Sequence, residues 1–500
     1  MRIGQASTDA SGEVSLAFVR PSSELSVVGQ DEQVAFQFFK LHMQDSLHGL
    51  CGRTIWAGDI LPISIREPSI RYAVVALGAL GKEKRLASSS ACLSKQTKLA
   101  RQSYSKAMKA LQTKIELKEQ MTPDMVLLSC LLFVTFELYV EDFPAAKCHL
   151  DSGLSIIREI RDGSSTPATP TSKQTMSSLV ESFERLDLQM SFLRAERVQL
   201  NRSQELAQST LLPCPTRFDS IHDARCSLNI NMAAMRELIW LVEQTTCDSY
   251  GGMSSDDMVS LSREQTRQIV SLRRWEEAVD DLLSRTTAPL LIFAGHQLRM
   301  QQISCALMVS MALSGGHETL WDDHIDDFGR IAELGGKILQ DRSANLQAAE
   351  WDSTFTLDMG IIPPLYMTVM KCRDPQIRHT ALKYLKQCTH QEGPFNGPQI
   401  CVAASAVVMI EEKGRVFESA ADLPEQDRLY QAYFVLQERP WYVNCSILVE
   451  LKPSDLTRSF GFKERDQVPC WLFPGQRIEF ASEEFDTASS RGYDGDPWCL

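Results

Sequence analysis

A chain of 500 residues, 44% of them hydrophobic, has room for one large helical array or roughly two or three ordinary domains. Its formal net charge of −13 argues against a duplex-binding module, which needs a basic face to neutralise phosphates. The densest basic cluster, Lys82 with Lys84 and Arg85, is broken by Glu83 and reads as a solvated helix end, with Lys84 on the solvent side.

Residues 1–30 mix Ser, Asp, Glu and Gly without a sustained apolar core, which predicts a disordered leader and no secretory signal. Residues 31–163 form the first helical part. Within it the run Glu67-Pro68-Ser69-Ile70-Arg71-Tyr72-Ala73 and onward to Leu80 predicts a helix whose buried face is Ile70, Ala73, Val74 and Leu77. Ala100, Tyr104, Ala107, Leu111 and Ile115 keep a spacing of three to four. Thr122-Pro123-Asp124 opens the next helix with a cap and a proline at its first position, and Asp142 opens another that ends at Asp162-Gly163. The longest apolar run, 125–136, is too short to span a bilayer and is followed by Glu137, so no membrane is expected.

Residues 164–178 carry two Thr-Pro pairs and almost nothing apolar, the composition of a linker. Thr166 and Thr169 have the context for proline-directed phosphorylation, although solvation alone accounts for such a stretch. Residues 179–415 form the second helical part, with helices expected at 179–197, 230–243, 261–283, 289–313 and 319–339. Pro363-Pro364 then suits a helix start, followed by Leu365, Val369 and Cys372 at helical spacing. Asp374 is placed as the next cap, before Pro375 and the stripe Ile377, Ala381, Leu382 and Leu385, with Gly393-Pro394 as the stop. In the C-terminal extension, 416–475, the run 441–449 fits a strand or a buried helix end. The tail, 476–500, interleaves acids and aromatics (Glu479-Phe480, Glu483-Glu484-Phe485-Asp486, Tyr493-Asp494, Asp496, Trp498), a composition shared by transcriptional activation segments and by disordered acidic tails without function. The fold class is all-α, with a short β element near the C-terminus.

Fourteen cysteines invite a metal reading that their spacing refuses. There is no C-x-x-C, and the closest pair in sequence is Cys214 and Cys226, whereas a structural zinc site draws ligands from short loops. Cys130, Cys148, Cys305, Cys372 and Cys401 sit in apolar helical runs and are expected as small buried hydrophobes. His317-Glu318 with Asp322, Asp323, His324, Asp326 and Asp327 has the right residue types for a cation, but acids in a helix's first turn explain the same residues. Cys372, His379, Cys388 and His390 do not fit a compact site, and His149 reads as a satisfied core histidine. Arg373 and Arg378 are expected to pair with Asp374 or Glu392. No phosphate-binding loop, dinucleotide fingerprint, nucleophile elbow or H-E-x-x-H is present, so neither a catalytic residue, a metal nor a cofactor is expected.

Four pieces in order carry a family resemblance: the Glu67–Leu80 run, Phe136-Glu137 and Tyr139 with Ala146, His149, Gly153 and Leu154, the segment Phe183-Glu184-Arg185-Leu186-Asp187-Leu188-Gln189, and the stretch from Phe355 to Glu412 that opens F-T-L-D-M-G-I-I-P-P-L-Y. Together they resemble the regulatory ("middle homology") region of fungal zinc-cluster transcription factors. The six-cysteine zinc module typical of those proteins has no counterpart in these residues. The resemblance implies a nuclear transcriptional regulator or co-regulator rather than an enzyme, with no direct DNA binding by this chain. Other transcription factors or coactivators would be its partners, with a small-molecule effector and a homodimer mate as further candidates. Family members frequently control secondary-metabolite gene clusters. The alternative class is a helical enzyme or ligand-binding protein of a biosynthetic pathway, for which a large apolar interior could be hollowed into a pocket.

Overall fold

The computed structural model describes residues 29–47, 55–85, 90–117, 122–162, 173–193, 215–248, 254–344 and 354–429, with short strands beyond. The leader before residue 29, Thr166, Thr169 and the acidic-aromatic residues of the tail lie outside the described residues. Helices dominate and gather around three apolar cores.

The first core begins with α1 (Gln30–Phe38), which continues through a π turn (Phe39–Met43) into Gln44–Leu47. A second π turn (Ile55–Asp59) leads into α2 (Ile60–Arg66). Helix α3 (Pro68–Arg85) starts at the proline because Glu67 is extended and Pro fits a first helical position. Ile70, Ala73, Val74 and Leu77 are buried as expected, but so are Val75, Ala76, Ala79 and Leu80, so the helix is enclosed rather than amphipathic. Next come α4 (Ser90–Glu116) and α5 (Pro123–Tyr139), the latter apolar around its circumference and sunk in the middle of the core. On α6 (Phe143–Arg161), capped by the Asp142 carboxylate accepting from Ala145 N at 3.1 Å, the buried stripe is Ala146, Leu150, Gly153 and Ile157. Cys148 falls off that stripe and is exposed, and Cys401 is half-buried, which corrects the expectation for both; Cys130, Cys305 and Cys372 are buried. Helix α7 (Lys173–Leu193) starts inside the stretch read as a linker. It sends Leu179, Phe183, Leu186 and Met190 into this core. Gly153 makes that docking possible, since a Cβ there would stand 2.0 Å from the Phe183 ring.

The second core lies between Leu188 of α7, α8 (Ile221–Asp248), α9 (Ser255–Ser284) and one side of α10 (Pro289–Met311). Trp275 is fully buried there and its indole N–H donates to Ala224 O at 2.8 Å. The third core packs the other side of α10 against α11 (Ile325–Ala344), α12 (Ile362–Lys371), α13 (Pro375–Leu385) and α14 (Gly397–Glu412). Helix α10 thus gives Phe293, Met300, Ile303 and Leu307 to one core and Ala294, Leu298, Cys305 and Val309 to the other.

The double proline opens α12, and Asp374 caps α13 by accepting from Ile377 N at 2.9 Å. Helix α13 stops at Leu385, well before Gly393-Pro394, because the chain turns into a small sheet: β1 (Phe355–Thr356) pairs in parallel with β2 (Gln391–Glu392), which pairs antiparallel with β3 (Phe395–Asn396). Gly393, at φ +53°, supplies the left-handed residue of that turn. Residues 319–324, expected as α-helix, belong to a 3-10 stretch (Glu318–His324) ahead of α11. Within the run 441–449 the described residues, from Cys445 on, form a strand: β4 (Gln431–Leu436) pairs antiparallel with β5 (Cys445–Glu450), and β6 (Arg477–Ile478) adds to β5. Among the described residues no helix is long and apolar enough to cross a membrane.

Candidate functional site

Residues 354–361 are the seam on which the separate motif pieces converge. The Tyr139 hydroxyl, at the end of α5, lies 2.9 Å from Thr354 Oγ1, and its ring packs on Phe355 at 4.6 Å. Gln391 donates to Leu138 O at 2.7 Å, Gln189 to Leu357 O at 3.1 Å and Gln301 to Met359 O at 2.6 Å. Arg185 and Gln189, four residues apart on α7, share one face and point at this seam. Asp358 sits between two guanidinium groups, 3.2 Å from Arg185 and 3.0 Å from Arg225 of α8, with little of any of the three exposed. In F-E-R-L-D-L-Q, then, the Phe fills the first core while the Arg and Gln grip the F-T-L-D-M-G segment.

A cavity of about 30 Å³ opens beside Asp358, lined by Arg185, Gln189, Arg225, Gln297, Met359 and neighbours. That is room for about two waters, far below the ~300 Å³ at which small-molecule pockets begin. Its lining includes no nucleophile and base in hydrogen-bond reach, only one carboxylate between two cations. Chemically the seam can lock elements together.

A second polar cluster is buried in the third core. Glu411 is fully buried and receives Arg373 at 2.8 Å, Arg378 at 2.5 Å and Leu429 N–H at 2.6 Å. Arg373 also reaches Glu318 at 2.9 Å, and Glu318 in turn holds Lys371 at 2.7 Å. Burial alone would raise the Glu411 carboxyl, but Arg373 and Arg378 outweigh it and hold the group below the ordinary glutamate value. Burial pulls the Lys371 ammonium down despite Glu318. The expected partners of the two arginines, Asp374 and Glu392, are engaged elsewhere: Asp374 caps α13. The Glu392 carboxylate accepts the backbone N–H of Gly360, Ile361 and Ile362 at 2.8–3.0 Å and meets His390 at 3.0 Å. Glu392 therefore fills the positive N-terminus of α12 from thirty residues away. Gly360 leaves it space, as a Cβ there would lie 2.4 Å from the carboxylate.

The 317–327 cluster disperses in the same way. Glu318 turns inward, Asp322 takes a bidentate pair from Arg428 at 2.7 and 2.8 Å, and Asp326 and Asp327 occupy the first turn of α11. His379 meets Glu412 at 3.1 Å, while Cys372 and Cys388 are core residues; burial pushes the Cys372 thiol up to about 12. His149 lies half-buried on the Phe133 ring, 3.4 Å from Glu137. Sequence reasoning missed Arg225, which belongs to no motif, and Glu411, which lies at the end of the last motif stretch with no role assigned to it; only the fold selects them.

Compared with known proteins, residues 46–286 match the model of a fungal specific transcription factor domain. No curated protein and no solved structure matches the chain. The matched span holds most of the first core and runs through α8 and α9, so three of the four motif pieces lie inside it. The fourth, from Phe355, lies outside the match yet packs directly on Tyr139, Arg185 and Gln189.

Proposed function

We infer, from the match of residues 46–286 to the fungal specific transcription factor domain, that this chain regulates transcription in the nucleus through protein partners. The family match is the observation that carries the reading. The net charge of −13 supports action through DNA-bound transcription factors or coactivators rather than by direct duplex contact. The polar clusters support it too, since Asp358 and Glu411 are engaged by arginines and Glu392 by helix N–H groups, none of them beside a nucleophile. A co-regulator of a secondary-metabolite gene cluster is the specific role we assign. The test is transcription from a reporter carrying sites for a foreign DNA-binding domain, with the full chain fused to that domain. We expect reporter output to change at least severalfold with the fusion and the unfused chain to give no gel shift. An unchanged reporter, together with unchanged transcripts in a deletion strain, would overturn the reading.

A further inference from the structure

We propose that Glu181, His222 and Cys226 form a three-ligand site for a zinc-type divalent cation between α7 and α8. His222 and Cys226 are four residues apart near the start of α8 and face the same way, and Glu181 comes from the facing helix. The His222 Nε2 lies 3.6 Å from Cys226 Sγ and 3.7 Å from Glu181 Oε2, and all three donor atoms fall within 4.8 Å of one another. A tetrahedral ion with Zn–N about 2.0–2.1 Å, Zn–O about 2.0–2.2 Å and Zn–S about 2.3 Å sets neighbouring donors about 3.4–3.6 Å apart. The two separations from the imidazole nitrogen, 3.6 and 3.7 Å, lie close to those values. By contrast, 3.7 Å is too long for an imidazole–carboxylate hydrogen bond of about 2.7–3.2 Å. One ring nitrogen thus faces both a thiol, within hydrogen-bond reach for sulfur, and a carboxylate, an arrangement that a shared ion fits.

The donor set selects the ion. One nitrogen, one sulfur and one oxygen suit zinc, whereas magnesium and calcium take oxygen ligands. All three residues are half-buried, so an ion can enter and its fourth position faces solvent. The site also lies one helical turn from the seam: Arg185 follows Glu181 by four residues and Arg225 precedes Cys226, and both hold Asp358. Bound metal would clamp α7 to α8 where they grip residues 354–361. This assignment departs from the expectation of no metal, which rested on spacing along the chain; here the third ligand is supplied by packing. It stands whether or not the chain regulates transcription.

The test uses the full chain, reduced and stripped of metal, titrated with Co²⁺ as a coloured stand-in for zinc. We expect one equivalent to give the visible bands of a tetrahedral ion and one thiolate-to-metal charge-transfer band, both bleached by Zn²⁺. Cys226→Ser should lose the charge-transfer band, and His222→Ala and Glu181→Gln should weaken binding at least tenfold, since even outer-shell partners are worth about 10–100-fold. Cys148→Ser, an exposed cysteine elsewhere, should behave as the parent. Zn²⁺ should raise the melting temperature of the parent and not that of Glu181→Gln, whose amide keeps the shape of the side chain. Identical cobalt spectra for parent and Cys226→Ser, or no bands in the parent at excess Co²⁺, would overturn the assignment.

Discussion

Lys84 shows how far one side chain can depart from its place in a pattern. Its spacing on α3 puts it on the outside, and the residue is exposed. Yet its ammonium donates to Tyr139 O at 3.0 Å, lies 4.2 Å from the centre of the Tyr139 ring and stands 3.5 Å from Gln391 Oε1. A long flexible stem lets a surface position serve an interior acceptor. Lys84→Asp, neutral by the sequence pattern, should therefore cost about 1–3 kcal/mol, because a carboxylate faces a carbonyl that loses its donor. Leu77→Asp should cost several kcal/mol more, since Leu77 is fully buried and a lone charge there has no partner. Urea unfolding of both variants checks the order; a Lys84→Asp midpoint equal to the parent's would show the ammonium contact is worth nothing.

Glu411 makes a residue-scale prediction with a pH sign. Its folded pKa is held down by Arg373 and Arg378, so its contribution is present above the unfolded carboxyl value of about 4.3 and lost as pH falls through the folded value. Glu411→Gln removes the carboxylate that Arg373 and Arg378 share, leaving them Glu318 at 2.9 Å and Glu412 at 3.4 Å, and should cost about 3 kcal/mol at pH 7. The gap between parent and variant should narrow below about pH 4.3. Unfolding midpoints measured from pH 7 to the acid limb test this, and a gap that stays constant would refute it.

At the scale of elements, helix starts are legible in the sequence and their partners are not. Pro363-Pro364 and Asp374 are local signals: a fixed φ and a side chain that reaches its own helix. The carboxylate that caps α12 comes from Glu392, which no window on the sequence joins to Gly360. Likewise, His222 and Cys226 announce a shared face, but Glu181 reaches them only through the packing of α7. The end of α13 at Leu385 escapes a local reading because a sheet, rather than a glycine, stops the helix. Glu392→Ala should orphan three N–H groups and cost about 3 kcal/mol, the low end of 1–3 kcal/mol per group. Gly360→Ala should act in the same direction by expelling the carboxylate. Hydrogen exchange in the first turn of α12 should speed up in both, and protection as in the parent would contradict the capping role.

At the scale of the molecule, Asp358 is where the matched domain meets the C-terminal helices. Removing its charge leaves Arg185 and Arg225 without their shared counter-ion, at a cost of about 3 kcal/mol. We expect Asp358→Ala to speed exchange at residues 354–361 and the facing turns of α7 and α8, and to leave α3 and α5 protected. Uniform loss of protection would mean that the seam is not a separate unit. The class and the main helices can be read from periodicity, which is local; the three-core arrangement cannot, because it depends on which apolar faces find each other.

Helix α10 sets a limit on how such a molecule can move. It is apolar on both sides and gives its side chains to two cores, so sliding it would open contacts in both at once. Interiors this tightly packed switch between discrete arrangements rather than deform smoothly. Any signal that crosses from the second core to the third must therefore pivot other helices about α10, which serves as a fulcrum and never as a lever.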